Sequence, residues 1–138
     1  MAQTLILDAE ALSALAHATS RAVSAQRARA ILSVAHELGA LVRVPAPVLA
    51  EVFRGGSRDA AVERVLGGKG IRVVDLTARM ARHAGALLGA AKLDSVHAID
   101  AFVVATAAAL GGGIIAAHDP DDLAQLADRE PGVRVWAI

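Results

Sequence analysis

The stretch AFVVATAAALGGGIIAA, Ala101 to Ala117, carries no charge and decides between two very different proteins. Its length approaches that of a membrane span, for which roughly 20 apolar residues are needed. It is dominated by alanine, however, broken by Gly111-Gly112-Gly113, and bounded by Asp100 and His118. A helix, a turn and a short buried strand account for it better. The pattern predicts a helix over Val96 to Leu110, ended by the glycines, and a strand over Ile114 to Ala117. The chain is therefore expected to be soluble and cytoplasmic, with no membrane contact.

Outward from this stretch the same alternation recurs. Thr4 to Leu7 is an apolar run ending at Asp8 and reads as a buried strand. Ala9 to Ala16 reads as a short helix, and Ser20 to Leu38 as a longer one closed by Gly39. Leu41 to Val44 is a second strand stopped by Pro45, and Pro47 suits the first turn of a helix reaching about Arg54. Asp59 to Leu66 adds a further helical segment. The loop Gly67-Gly68-Lys69-Gly70 leads into strand Ile71 to Val74, and Thr77 is placed to cap a helix extending to about Ala91. After Ala117, Asp119-Pro120 opens a helix ending near Ala127, and Val133 to Trp136 forms a last strand. Strands alternating with helices predict an α/β fold, a central parallel sheet flanked by helices on both faces. With 138 residues and no linker or repeat, one domain over residues 1–138 is expected.

Composition narrows the chemistry. Apolar residues make up 55% of the chain and aromatics 2%, so the core must be built from Ala, Val, Leu and Ile. Acidic and basic residues balance at 14 each, and no global field steers the protein to nucleic acid. The basic residues are nearly all Arg, and Arg54, Arg58 and Arg72 are candidates for phosphate contact against a default of solvated charge. Cysteine is absent, which excludes disulfides, Cys-zinc sites and thiol nucleophiles. Asp8 and Glu10 interrupt the place where a secretory signal would be apolar. Gly67-Gly68-Lys69-Gly70 lacks the following Ser or Thr of a phosphate-binding loop. Gly111-Gly112-Gly113 precedes a strand, the reverse of the dinucleotide fingerprint. The five histidines lack metal-motif spacing. His97 and His118 stand out for their nearness to acids.

The acids are the candidates. Asp8 follows a strand and either caps the next helix or faces a cleft; Glu10 is a helix-start charge or a second acid toward that cleft. Glu51 lies in Val48-Leu49-Ala50-Glu51-Val52-Phe53, where an unpartnered buried carboxylate costs several kcal/mol, on the order of a lost ion pair. Arg54, Arg58 or a metal ion would each relieve it. Asp100 sits in Ala98-Ile99-Asp100-Ala101-Phe102-Val103-Val104-Ala105, at the border of the face formed by Ile99, Phe102, Val103 and Thr106. Asp119, in Asp119-Pro120-Asp121-Asp122-Leu123, is explained equally by helix capping. Together, these acids are expected at one end of one sheet, where their mutual repulsion calls for protons or a cation. A carboxylate-only set suits Mg²⁺ or Mn²⁺ rather than zinc.

These residues resemble the PIN-domain family, and within it the VapC-type toxins of prokaryotic toxin–antitoxin pairs. Leu5-Ile6-Leu7-Asp8-Ala9 is similar to the family's first motif, and Val44 to Val52 to the segment carrying its Glu. Ile99-Asp100-Ala101 is similar to the third motif, and Ile114 to Leu123 to the fourth. The resemblance covers essentially the whole chain, in order. It implies a central parallel sheet, an Mg²⁺- or Mn²⁺-dependent endoribonuclease acting on RNA, and a homodimer inhibited by an antitoxin. Carried over, Asp8, Glu51, Asp100 and Asp119 are the catalytic, metal-binding acids, with Asp122 and Glu10 as a second tier. The chain departs from the family pattern at Glu10, His97 and Ala117. Rival readings are a catalytically degenerate PIN-like binding module, whose acids cap helices or pair with Arg, and a haloacid-dehalogenase-like phosphotransferase. The second fits poorly, because Asp8-Ala9-Glu10-Ala11 lacks its pattern.

Overall fold

Parallel strands need covered faces and long crossovers, and the computed structural model of the protein supplies both. It describes residues 3–17 and 22–138. Five strands, β1 (Thr4–Leu7), β2 (Leu41–Pro45), β3 (Ile71–Val74), β4 (Gly113–Ala117) and β5 (Val133–Ala137), form one sheet in the order β3-β2-β1-β4-β5. Every pairing is parallel, with Leu5 opposite both Val42 and Ile114. The described helices are α1 (Ala9–Ala16), α2 (Ala22–Glu37), α3 (Ala46–Val52), α4 (Asp59–Leu66), α5 (Ala78–Ala91), α6 (Ala98–Ala109) and α7 (Asp121–Leu126).

The chain winds from β1 outward to β3, then returns to add β4 on the other side of β1. With right-handed crossovers, this reversal puts α1 to α4 on one face and α5 to α7 on the other. Accordingly, α1 packs on α2 and α4, while α6 packs on α5 and α7 and against β2, β4 and β5. The central strand is buried along its whole length, Ile6 and Leu7 lying in the core with Val42, Val44 and Ile115. Alanines make the close layers possible: Ala11, Ala14, Ala101, Ala105 and Ala107 are wholly buried.

The glycine triplet has a steric cause. A Cβ on Gly112, whose φ is +104°, would lie 2.5 Å from the Gly132 carbonyl oxygen, and one on Gly113 would lie 2.6 Å from that of Thr4. Backbone from β1 and from the β5 approach comes too close for any side chain. Gly113 pairs with Val133 and so belongs to β4 rather than to the turn.

Several boundaries differ from expectation. The predicted helix from Ser20 starts outside the described residues, and α2 ends at Glu37. Pro45 belongs to β2, opposite Val74. α3 stops at Val52 instead of Arg54, because the Asp59 carboxylate captures the Arg54 and Gly55 N–H groups at 3.0 and 2.7 Å. The helix expected from Val96 begins as a 3₁₀ turn, Ser95–His97, before α6. Asp119 does not cap α7: Pro120 holds the N-cap position and Asp121 starts the helix. Among the described residues, no helix is long and apolar enough to cross a membrane.

Candidate metal centre

In an open parallel sheet, the crevice beyond the carboxyl ends lies where the winding reverses. Here that is between β1 and β4, and each strand delivers an acid there. Asp8 follows Leu7 directly; Asp119 stands two residues beyond Ala117. Glu51 comes from the last turn of α3, and Asp100 and Asp122 from the first turns of α6 and α7. A cavity of about 190 Å³ is lined by Asp8, Glu10, Glu51, Asp100, Asp119 and Asp122, with Ala9, Ile99 and Val103 as its apolar floor. All six acids singled out in the sequence thus meet in one place, and among the described residues no Lys or Arg lines it.

The electrostatics follow from that crowding. Asp8 is 7% exposed, the one buried ionisable side chain among the described residues. Its Oδ1 accepts the Ala11 N–H at 2.8 Å, so capping and site placement coincide in one residue. Burial nonetheless dominates, and with the charges of Glu10, Asp100 and Glu51 pushes its pKa up to about 7 against the Ala11 hydrogen bond. Glu51, at the open rim, is also raised, by partial burial first and then by Asp100 and Glu10; Arg54 opposes this. Asp100 is raised by burial, then by Asp122 and Asp119, with His97 pulling the other way.

The Arg partners expected for Glu51 do not form an ion pair with it. Arg54 Nη1 donates to the Ala50 and Phe53 carbonyl oxygens at 2.9 and 2.7 Å, holding the end of α3. Among the described residues, neither Arg54 nor Arg58 forms an ion pair with Glu51. A set of carboxylates that raise one another's pKa, with no Lys or Arg among the described residues that line the cavity, fits a hard divalent cation with oxygen ligands.

The two histidines near the acids separate. His118 Nδ1 lies 3.3 Å from Ser24 Oγ on α2, at the outer surface. His97 Nδ1 instead lies 3.4 Å from Asp122 Oδ2. One ligand atom each of His97, Asp100 and Asp122 fall within 4.8 Å of one another. The helical spacing of three between His97 and Asp100 puts both on one face and could have flagged the first contact. The second-tier place given to Asp122 already sets it in one site with Asp100, whereas its contact with His97 has no signal in the sequence.

The PIN domain family model matches residues 5–129. Among solved structures, a chain of VapBC2 from Rickettsia felis, crystallised bound to a DNA fragment from their promoter, is similar in fold. It superposes with a TM-score of 0.72 at 12% identity, covering 99% of each chain. At that identity the likeness speaks for the fold alone. No curated protein matches the sequence.

Proposed function

Because the chain belongs to the PIN-domain family, we propose that it is a divalent-metal-dependent endoribonuclease, the toxin of a toxin–antitoxin pair. The observation that carries this reading is the convergence of Asp8, Glu51, Asp100 and Asp119 on one cavity at the reversal point of the sheet. The substrate is RNA, the cation Mg²⁺ or Mn²⁺, and residues 1–138 act as one domain. The resemblance to VapC-type toxins adds a cognate antitoxin, a homodimer and a cytoplasmic location.

Asp8 and Asp100 would hold the ion, with Asp119 and Asp122 closing the site from the β4 side. A bound divalent ion supplies charge neutralisation at the scissile phosphate and a more acidic water. The chain's own residues do the rest. Burial of Asp8 keeps one carboxylate dry and fixed, its orientation set by the Ala11 N–H. Ile99 and Val103 exclude bulk water from one wall of the cavity. Glu51, at the rim with a raised pKa, would take a proton from the attacking water at its carboxylate. Attack by water does not use the ribose 2′-OH, so products carry 5′-phosphate.

The test is induced expression of the wild type and of Asp100→Asn, followed by mapping of cleaved RNA ends. Growth arrest and new 5′-phosphate ends in the wild type alone support the reading. Arrest in both or in neither leaves a PIN-like binding module without catalysis, and cyclic-phosphate ends refute the water mechanism.

A further inference from the structure

Resting on the metal-centre reading above, we infer that His97 is a metal ligand. It would join Asp100 and Asp122 so that the centre carries one imidazole nitrogen and favours a divalent transition ion over Mg²⁺. The geometry comes from two elements that already pack together. His97 closes the 3₁₀ turn Ser95–His97, which is itself fixed by Asp94: its Oδ1 accepts the Val96 N–H at 3.0 Å and its carbonyl oxygen the His97 N–H at 3.1 Å. That places His97 at the N-cap of α6, a position favouring Ser, Thr, Asp or Asn. The imidazole forms no capping hydrogen bond there, so helix initiation does not explain it. It turns toward α7 instead, and Nδ1 reaches Asp122 Oδ2 at 3.4 Å.

Ligand atoms at about 2.1 Å from a common ion stand roughly 3 Å apart when adjacent and about 4.2 Å when opposite. Separations within 4.8 Å thus need to shorten by at most about 1.8 Å, shared between two side chains, for adjacent positions on one cation. His97 and Asp122 are both partly exposed, at 27% and 45% of their side chains, so an ion can enter without the fold opening. Imidazole binds first-row transition ions well, whereas Mg²⁺ prefers oxygen donors. One nitrogen among oxygens therefore moves the preference of the centre.

The competing arrangement is an ion pair, in which a protonated His97 faces Asp122 and stands in for a cation. The two differ in sign: removing a ligand weakens metal binding, while removing a competing positive charge strengthens it.

The experiment uses the purified full chain, stripped with EDTA, without RNA. Mn²⁺ is titrated by electron paramagnetic resonance, and the bound ion is examined by electron spin-echo envelope modulation for nitrogen coupling. The wild type is expected to bind Mn²⁺ with modulation from one imidazole, and His118→Asn to keep it. His97→Ala is expected to abolish the modulation and weaken Mn²⁺ about tenfold or more, in the range for disturbing a metal's close surroundings. His97→Asp, which keeps a donor in place should the alanine variant fail to fold, is expected to bind without nitrogen modulation. Its Mn²⁺-over-Mg²⁺ preference should drop by about tenfold. Bound Mn²⁺ without nitrogen coupling, coupling that persists in His97→Asp, or tighter binding in His97→Ala overturns the assignment and leaves the carboxylate centre standing. Absence of Mn²⁺ binding in the wild type, or binding unaltered by Asp100→Asn, overturns the metal centre and this assignment with it.

Discussion

Replacing Asp8 by Asn isolates the energetic cost of the acid cluster. In the folded protein the Asp8 pKa is about 7, against 3.8 for the unperturbed group. A carboxyl whose pKa is raised by folding contributes stability that is fully present below about 3.8. That contribution is lost as pH rises, because the unfolded chain releases the proton first. The window is therefore pH 3.8 to 7, and at about 1.4 kcal/mol per pH unit the loss reaches roughly 4 kcal/mol above it. Asp8 is 7% exposed, so solvent screens little of this. Asn caps helices as well as Asp does and preserves acceptance of the Ala11 N–H. In EDTA, Asp8→Asn should thus be more stable than the wild type by about 4 kcal/mol at pH 8.5, and nearly equal to it near pH 4. Urea unfolding followed by circular dichroism across that range is the assay. Saturating Mn²⁺ should close the gap at pH 8.5, since an ion bound only by the folded wild type offsets the repulsion. A pH-independent difference between the two proteins would refute the reasoning, as would destabilisation by Asn at pH 8.5.

Glu51→Gln should lower RNA cleavage by at least about a hundredfold while leaving stability within about 0.5 kcal/mol, read by end-labelled RNA cleavage and thermal unfolding side by side. Gly112→Ala places a methyl group 2.5 Å from the Gly132 carbonyl oxygen at φ +104°, and should lower the unfolding free energy by about 2–3 kcal/mol or prevent folding. The His83 Nε2 to Glu130 Oε1 contact, 2.6 Å, joins α5 to the approach to β5. Because it is partly exposed, His83→Ala should cost at most about 1 kcal/mol in chemical denaturation, and less at high salt.

The fold was largely legible because its decisive signals are local. Runs such as Leu5-Ile6-Leu7 and Ile114-Ile115-Ala116-Ala117 have no polar face to offer water, and they lie at the centre of the sheet. Where tertiary contacts set the outcome, sequence reading fell short. Asp59 ends α3 by binding amides from four and five positions upstream, and Gly113 joins β4 by pairing with Val133 on the neighbouring strand. At the site, each acid had a bland explanation, and for Asp8 that explanation is also true. For Asp119 it is not, because Pro120 takes the cap. The convergence of all six acids on one cavity follows from the winding reversal, which an α/β alternation allows but does not require. The orientation of His97 depends on how α7 docks on α6, and no periodicity in either helix encodes that angle.

The reversal of winding also governs when the cluster comes into being. β1 leaves the ribosome before β2 and can pair with it as soon as that strand emerges, yet its other neighbour, β4, is synthesised only after β2, β3 and α6. A nascent polypeptide ending before β4 carries Asp8 and Glu51 but has neither Asp119 nor Asp122, nor the strand that would bring them alongside. The acids therefore assemble only after β4 and α7 have emerged, so a growing chain has no finished centre while the segments before β4 are being read.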